Sequence, residues 1–254
     1  SAIKKGAIHI ISSKKIKNYE NKLIKVSNEV NFLNEFATKK RENTQAKIIA
    51  ITGSAGKTSL KNLVKDLLQN YGKTFGSPKS YNNHFGVPLS LSELTSNHKY
   101  GVFEVGMSRP GEINKLTNMI KPQIGVITNI GEAHIENFKS LYHIAKAKGE
   151  IIDNIATSGC LVIDSDNKFF NYFKSKAKKR NIRVISIGYN RKSDIKIIKI
   201  KKFSKNKLLT IKSLRKEYKI KIKDQNVKNI AFAIAVLEIL NLNVDKIKDK
   251  IKDI

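Results

Sequence analysis

Residues 47–71 constrain the fold of this chain more than any other stretch. Lys47–Thr52 (KIIAIT) is an apolar run of strand length. Thr58–Tyr71 carries Leu60, Leu63, Val64, Leu67 and Leu68 at the spacing of an amphipathic helix. Between them stands Gly53-Ser54-Ala55-Gly56-Lys57-Thr58. A strand, a glycine turn and a helix start in that order bring backbone N–H groups and the positive end of a helix dipole to one place. This is the setting of a phosphate loop, in which Lys57 neutralises phosphate and the Thr58 hydroxyl reaches Mg2+. The spacing Gly-x-x-Gly-Lys-Thr is shorter than the common GxxxxGK[ST] pattern, whose first glycine would fall at Ile51. The same residues also suit a glycine-rich turn with an incidental lysine.

The rest of the punctuation is concentrated nearby. Eleven of the 14 glycines lie between Gly53 and Gly149, and all four prolines between Pro78 and Pro122. Tight turns and close backbone approach are needed there. Strand-length runs at Tyr100–Val105, Ile124–Ile130, Gly159–Ile163 and Arg183–Ile187 alternate with helical patterns at Pro110–Met119 and Ser140–Ile155 and with a basic helix before the last strand. The alternation predicts an α/β fold, a mostly parallel sheet flanked by helices. Asp194–Lys223 differs, because apolar and basic residues alternate there at period two. That predicts a small antiparallel strand segment with lysines outward. Gln225–Leu240 returns to a helix, and Val244–Ile254 reads as a short amphipathic one. Residues 1–45, with a strand at Ala7–Ser12 and a helix around Asn28–Lys39, hold too few apolar residues for a core of their own. They read as the end of a preceding domain plus a linker, and 46–254 as the main domain.

Composition excludes several classes. The net charge is +28, and 18 of that excess sits in residues 171–223, where 16 of 20 basic residues are Lys. Lysine is a solvated point charge without the flat pairing geometry of arginine. The excess therefore reads as solvated faces, and no nucleic-acid partner is expected. No apolar run approaches the roughly 20 residues of a membrane span, and no secretory signal is present. The single cysteine, Cys160, excludes an intrachain disulfide and a cysteine-rich zinc site. A cytoplasmic protein is the simplest reading.

Three further positions carry candidate chemistry. Glu104 ends an apolar strand, at the sheet edge where parallel sheets bind ligands, and can hold Mg2+. His134 follows another strand in Thr-Asn-Ile-Gly-Glu-Ala-His. Lys146 and Lys148 share a helix with Glu150. Taken singly, these also suit a strand-end acid, a solvated loop histidine and a solvated helix face. Spacing supports a nucleoside-triphosphate site with Mg2+ and does not name a reaction.

The stretches ITGSAGKTSLK, SYNNHFGVPLSL, FEVGMSRPGEI, PQIGVITNIGEAHIENFKSL and IAKAKGEI occur in that order. Together they resemble the central ATPase domain of the Mur ligases, most of all the MurF-type branch. The resemblance covers roughly Ile3–Val244. It implies an ATP-dependent carbon–nitrogen ligase that adds D-alanyl-D-alanine to a UDP-N-acetylmuramoyl-tripeptide through an acyl phosphate, in peptidoglycan precursor synthesis. Another Mur ligase or a folylpolyglutamate synthase-like ligase is the alternative, and a basic nucleic-acid-binding module the reading from another class. By resemblance, Gly53, Ser54, Ala55, Gly56, Lys57, Thr58 and Ser59 hold ATP, with Asn229 and Gln225 near the adenine. Two Mg2+ ions are implied, on Thr58 and Glu104 and on His134. Lys148 matches the lysine carried as a carbamate beside the metal, and Lys57, Lys148 and His134 are the implied catalytic residues. Asn82 and Asn83 match amides near the UDP-substrate. Gln225 stands where the family often has His, and Ala55, Ser59 and Phe85 stand where Asn, Thr and Ile are common. The resemblance further implies a monomer. It also implies a piece ending at Ile254 without the C-terminal ligase domain, inactive alone in ligation.

Overall fold

The protein is described by a computed structural model over residues 3–133, 135–204, 206–223 and 225–253. Strands β1 (Ile10–Ser12) and β2 (Leu23–Lys25) pair in parallel as a small separate sheet. Helix α1 (Glu29–Glu42) follows, and the Asn28 side chain caps it by accepting from Asn31 N.

Strand and helix then alternate. The order is β3 (Lys47–Thr52), α2 (Lys57–Leu68), β4 (Thr74–Gly76), α3 (Gly86–Ser92), β5 (Tyr100–Glu104), α4 (Glu112–Ile120) and β6 (Ile124–Ile127). It continues through α5 (Leu141–Lys148), β7 (Cys160–Asp164), α6 (Phe170–Lys179) and β8 (Arg183–Gly188). Three further strands, β9 (Ile195–Lys202), β10 (Lys207–Lys212) and β11 (Glu217–Ile222), precede α7 (Val227–Ile239).

Among the described residues these strands form one nine-stranded sheet, ordered β11-β10-β9-β8-β7-β6-β3-β5-β4. It is parallel from β4 to β9, and β10 and β11 close it as an antiparallel meander. The expected α/β class holds, and the antiparallel strands extend the main sheet because β9 pairs in parallel with β8.

Both faces of the sheet are buried at its centre, as parallel strands require. Ile49 and Ile51 of β3 point into the core with α2 and α7, while Ile48 and Ala50 point into the core with α1, α3, α4 and α5. Helix α7 is apolar all round and buried from Asn229 to Glu238, because it lies between α2 and strands β7–β9. The strand order has its switch point at β3. The chain leaves β3 towards β4 and β5 on one side and returns to β6 on the other, which opens a crevice at the carboxyl end of β3.

Helix α4, beside that crevice, is held at both ends. Glu150 accepts from Gly111 N and Asn114 N at 2.8 and 3.0 Å, while Arg41 donates to Ile120 O and Lys121 O at 2.6 and 2.9 Å.

Two helices differ from the periodicity. The one expected over Ser140–Ile155 ends at Lys148 and continues as a 3-10 turn, Gly149–Asn154. Gly149 lies against α6, where a Cβ would stand 3.3 Å from the rings of Phe173 and Tyr172. The last segment forms two 3-10 turns, Val244–Lys246 and Lys248–Asp253, anchored by Val244, Ile247 and Ile251 in the core. No described helix is long and apolar enough to cross a membrane.

Candidate active site

The loop after β3 is shaped by its two glycines and by the loop after β6. Gly53 adopts φ +149°, and a Cβ there would stand 1.9 Å from Thr128 Oγ1. That close approach lets Thr128 Oγ1 donate to Ala55 O at 2.8 Å. Asn129 Oδ1 accepts from Ser54 N and Ala55 N at 3.0 and 2.8 Å. Ser54 Oγ donates to Gly131 O at 3.0 Å and lies 2.9 Å from Gly131 N. Gly56, at φ +76°, turns the chain into α2. Leu60 N bonds Gly56 O at 3.0 Å as the helix begins. The amides ahead of it have no intrahelical acceptor and remain for an anionic ligand.

Two lysines converge on one carbonyl. Lys57 Nζ donates to Gly53 O at 2.9 Å, and Lys148 Nζ, from the end of α5, donates to the same oxygen at 3.1 Å. Lys148 is only 2% exposed. Burial first, and the nearby Lys57 second, push its amine down to about 7. Burial also lowers Lys57, with Glu104 opposing. Lys146, two residues earlier, is exposed.

Beside the lysines lies a buried carboxylate. Glu104, at the end of β5, accepts from Thr58 Oγ1 at 2.6 Å and from Asn82 Nδ2 at 2.7 Å. Its own N–H donates to Ser77 Oγ. Lys61, fully buried on α2, faces the same carboxylate and donates to Ser77 O and Lys79 O at 2.7 and 2.6 Å. A cavity of about 650 Å³ opens from Lys57 and Lys148 past Asn82 and Asn83 to Arg109 and Lys115. Cations dominate this lining, which favours a ligand with several negative charges.

A family model described as the Mur ligase middle domain matches residues 51–237. The chain belongs to the Mur ligase family. It is 41% identical over 199 residues to the UDP-N-acetylmuramoyl-tripeptide–D-alanyl-D-alanine ligase of Rickettsia prowazekii, covering 78% of this chain and 44% of that one. A crystal structure of MurF from Acinetobacter baumannii matches with a TM-score of 0.88 at 26% identity, covering 98% of this chain and 55% of that one. MurF ligase from Thermotoga maritima, solved in complex with ADP, matches with a TM-score of 0.82 at 26% identity, covering 95% and 56%. The chain spans about half the length of these relatives.

Within this Mur ligase domain the fold gathers Gly53, Gly56, Lys57, Thr58, Asn82, Glu104 and Lys148 at one crevice. Ser59 is exposed in the first turn of α2. Asn229 joins the group, its Oδ1 3.6 Å from where a Cβ on Gly56 would lie. Ser54 and Ala55 are in the loop, but their amides are taken up by Asn129. Asn83 lines the cavity and also caps α3, accepting from Phe85 N and Gly86 N. Gln225 precedes α7, on which Asn229 lies. Its side chain bonds Lys223 N and Ile251 O, so it ties the start of α7 to the last turn. His134 lies outside the described residues.

Sequence reasoning missed the anchors Thr128 and Asn129, the buried Lys61 and the Asn82–Glu104 bond. An Asn directly after an apolar strand was the available signal for Asn129.

Proposed function

We propose that this chain is the nucleotide-binding, acyl-activating part of an ATP-dependent ligase that joins D-alanyl-D-alanine to UDP-N-acetylmuramoyl-tripeptide. The convergence of Lys57 and Lys148 on Gly53 O, next to the Thr58–Glu104 pair, carries this reading. The relatives' names supply the reaction. ATP phosphates rest on the free amides at the start of α2 and on Lys57. The terminal carboxylate of the tripeptide lies in the cationic cavity. Its oxygen bonds the γ-phosphorus as the bond to ADP breaks. The amine of D-alanyl-D-alanine then attacks the acyl carbon and phosphate leaves. Positioning and charge neutralisation by Lys57 and the amides at the start of α2 do most of this work.

The donor set fits Mg2+. Thr58 Oγ1 and Glu104 are hard oxygen ligands. No group of three or more His, Cys, Asp or Glu side chains that could hold a metal stands among the described residues. This suits an ion bound through one carboxylate, one hydroxyl, substrate phosphates and water. Such an ion offsets phosphate charge when bound. A second ion on His134 belongs to the same reading. Lys148 fits a carbamate, because near neutrality about half of an amine at about 7 is free base and can take up carbon dioxide.

Calorimetric titration of this chain with ATP and Mg2+ tests the nucleotide reading, and absence of binding overturns it. In a ligase carrying the remaining domains, phosphate release should need both the tripeptide substrate and D-alanyl-D-alanine. Glu104→Ala weakens the gain in ATP affinity that Mg2+ brings by about tenfold or more. Affinity measured without Mg2+ stays as it was. An unchanged Mg2+ dependence removes Glu104 from the ion site. In the complete ligase, Lys148→Ala lowers the rate by about a thousandfold, and added formate or acetate restores part of it. Lys146→Ala leaves the rate alone. A full rate in Lys148→Ala rejects the carbamate.

A further inference from the structure

Beyond α6, one face of the sheet carries no helix among the described residues. Helix α6 packs on β7 and β8, and the strands beyond it are covered by α7 and the final 3-10 turn on the other face. Ile197, Leu209, Ile211 and Ile220 point into that covered face. The strand register sets the alternate residues in rows across the open one. Lys201, Leu208 and Lys221 form one row, Lys199, Thr210 and Lys219 the next, and Lys196, Lys212 and Glu217 the third. With strands about 4.8 Å apart, the outer lysines of a row stand about 10 Å from each other. A bulge between Thr210 and Ile211 of β10 leaves Ile198 of β9 44% exposed beside them.

Five of these six lysines are exposed, and none is in an ion pair among the described residues. Lys196 opposite Lys212 is an unfavourable cross-strand pair, and Glu217 opposite Lys212 is the one acidic residue in the three rows. Phe203, in the turn that closes β9 to β10, is 60% exposed.

We propose that this face docks on an anionic lipid surface. The array spans three strands and holds six lysines against one glutamate, which matches a fluid plane of acidic headgroups acting within a Debye length. Lysine suffices for such a plane, because no fixed pairing geometry has to be met. Phe203 at the margin adds an apolar ring of the kind that enters the headgroup boundary. A nucleic-acid strand would be matched by arginine forks and stacking rings among the lysines, and the three rows contain neither. An acidic protein would need a broad apolar centre to exclude water, and this face offers only the half-buried Leu208 and the exposed Ile198.

Co-sedimentation of this chain with vesicles tests the proposal. The chain pellets with mixed phosphatidylglycerol–phosphatidylcholine vesicles, stays in solution with phosphatidylcholine alone and is released by high salt. The double variant Lys199→Glu, Lys219→Glu lowers the association constant by about tenfold or more. The variant Lys14→Glu, Lys15→Glu removes the same charge from an exposed segment outside the sheet and changes it by less than about twofold. All four positions are exposed, so both variants keep the fold, which circular dichroism verifies. Equal loss in the two variants overturns the proposal. So does binding to single-stranded DNA or polyglutamate while the anionic vesicles are left alone.

Discussion

Lys57→Ala lowers the affinity of this chain for ATP by roughly a hundredfold, the equivalent of about 3 kcal/mol for a charged hydrogen bond made out of water. The effect is large because neither of the two other lysines beside the loop is free to take over. Lys61 is held by two backbone carbonyls, and Lys148 already donates to Gly53 O. The fold survives, since Lys57 is half-buried at the start of α2 and its contact is a single carbonyl. Removing this neighbour also raises the Lys148 amine, though burial, the larger cause, keeps it below the ordinary lysine range. Calorimetry with ATP and Mg2+ measures the first effect, and proton NMR titration of a labelled Lys148 measures the second. Undiminished ATP affinity rejects the phosphate-loop assignment.

Gly53→Ala destabilises the chain by about 3 kcal/mol and weakens nucleotide binding with it. Two costs add. The backbone sits at φ +149°, where an L side chain is strained by about 1–3 kcal/mol. The new methyl would also stand 1.9 Å from Thr128 Oγ1, 3.1 Å from Thr128 Cβ and 3.2 Å from Asn129 N. Overpacking of this kind costs about 1–3 kcal/mol. The loop must shift to accept it, and Gly53 O, the shared acceptor of Lys57 and Lys148, shifts too. Adding Thr128→Ala removes the worst contact and leaves the dihedral strain, so the double variant recovers part of the loss. Urea denaturation of the four proteins in this cycle checks both statements. An unaltered midpoint in Gly53→Ala shows that the loop is not packed as described.

What was legible in the sequence follows the range of the forces involved. The strand, glycine turn and helix start at residues 47–68 could be read because their constraints are local: two glycines, a lysine and a hydroxyl between an apolar run and an amphipathic pattern. Glu104 could be placed because a strand's carboxyl end is visible as the point where an apolar run stops. Lys148 came from family resemblance rather than spacing, since its partner Gly53 O is 95 residues away in the chain. Asn129 and the bond from Asn82 to Glu104 escaped for the same reason. Asn129 reaches the loop only because β6 lies next to β3, and Asn82 meets Glu104 across 22 residues that hold α3. Local periodicity does not encode strand order. β4, with three residues, and α3, with seven, are too short for a period to register.

The fastening of α4 has a mechanical consequence. Glu150 clamps its first turn and Arg41 its last carbonyls, and Glu112, Lys115 and Leu116 on this helix form one wall of the cavity. A beam clamped at both ends does not yield. The facing wall is the Asn82–His84 loop, which is hung on Glu104 and Gly106. The cavity therefore has one wall clamped through α4 and a facing wall bonded to the same carboxylate that Thr58 touches. Movement there reaches the phosphate loop through one side chain.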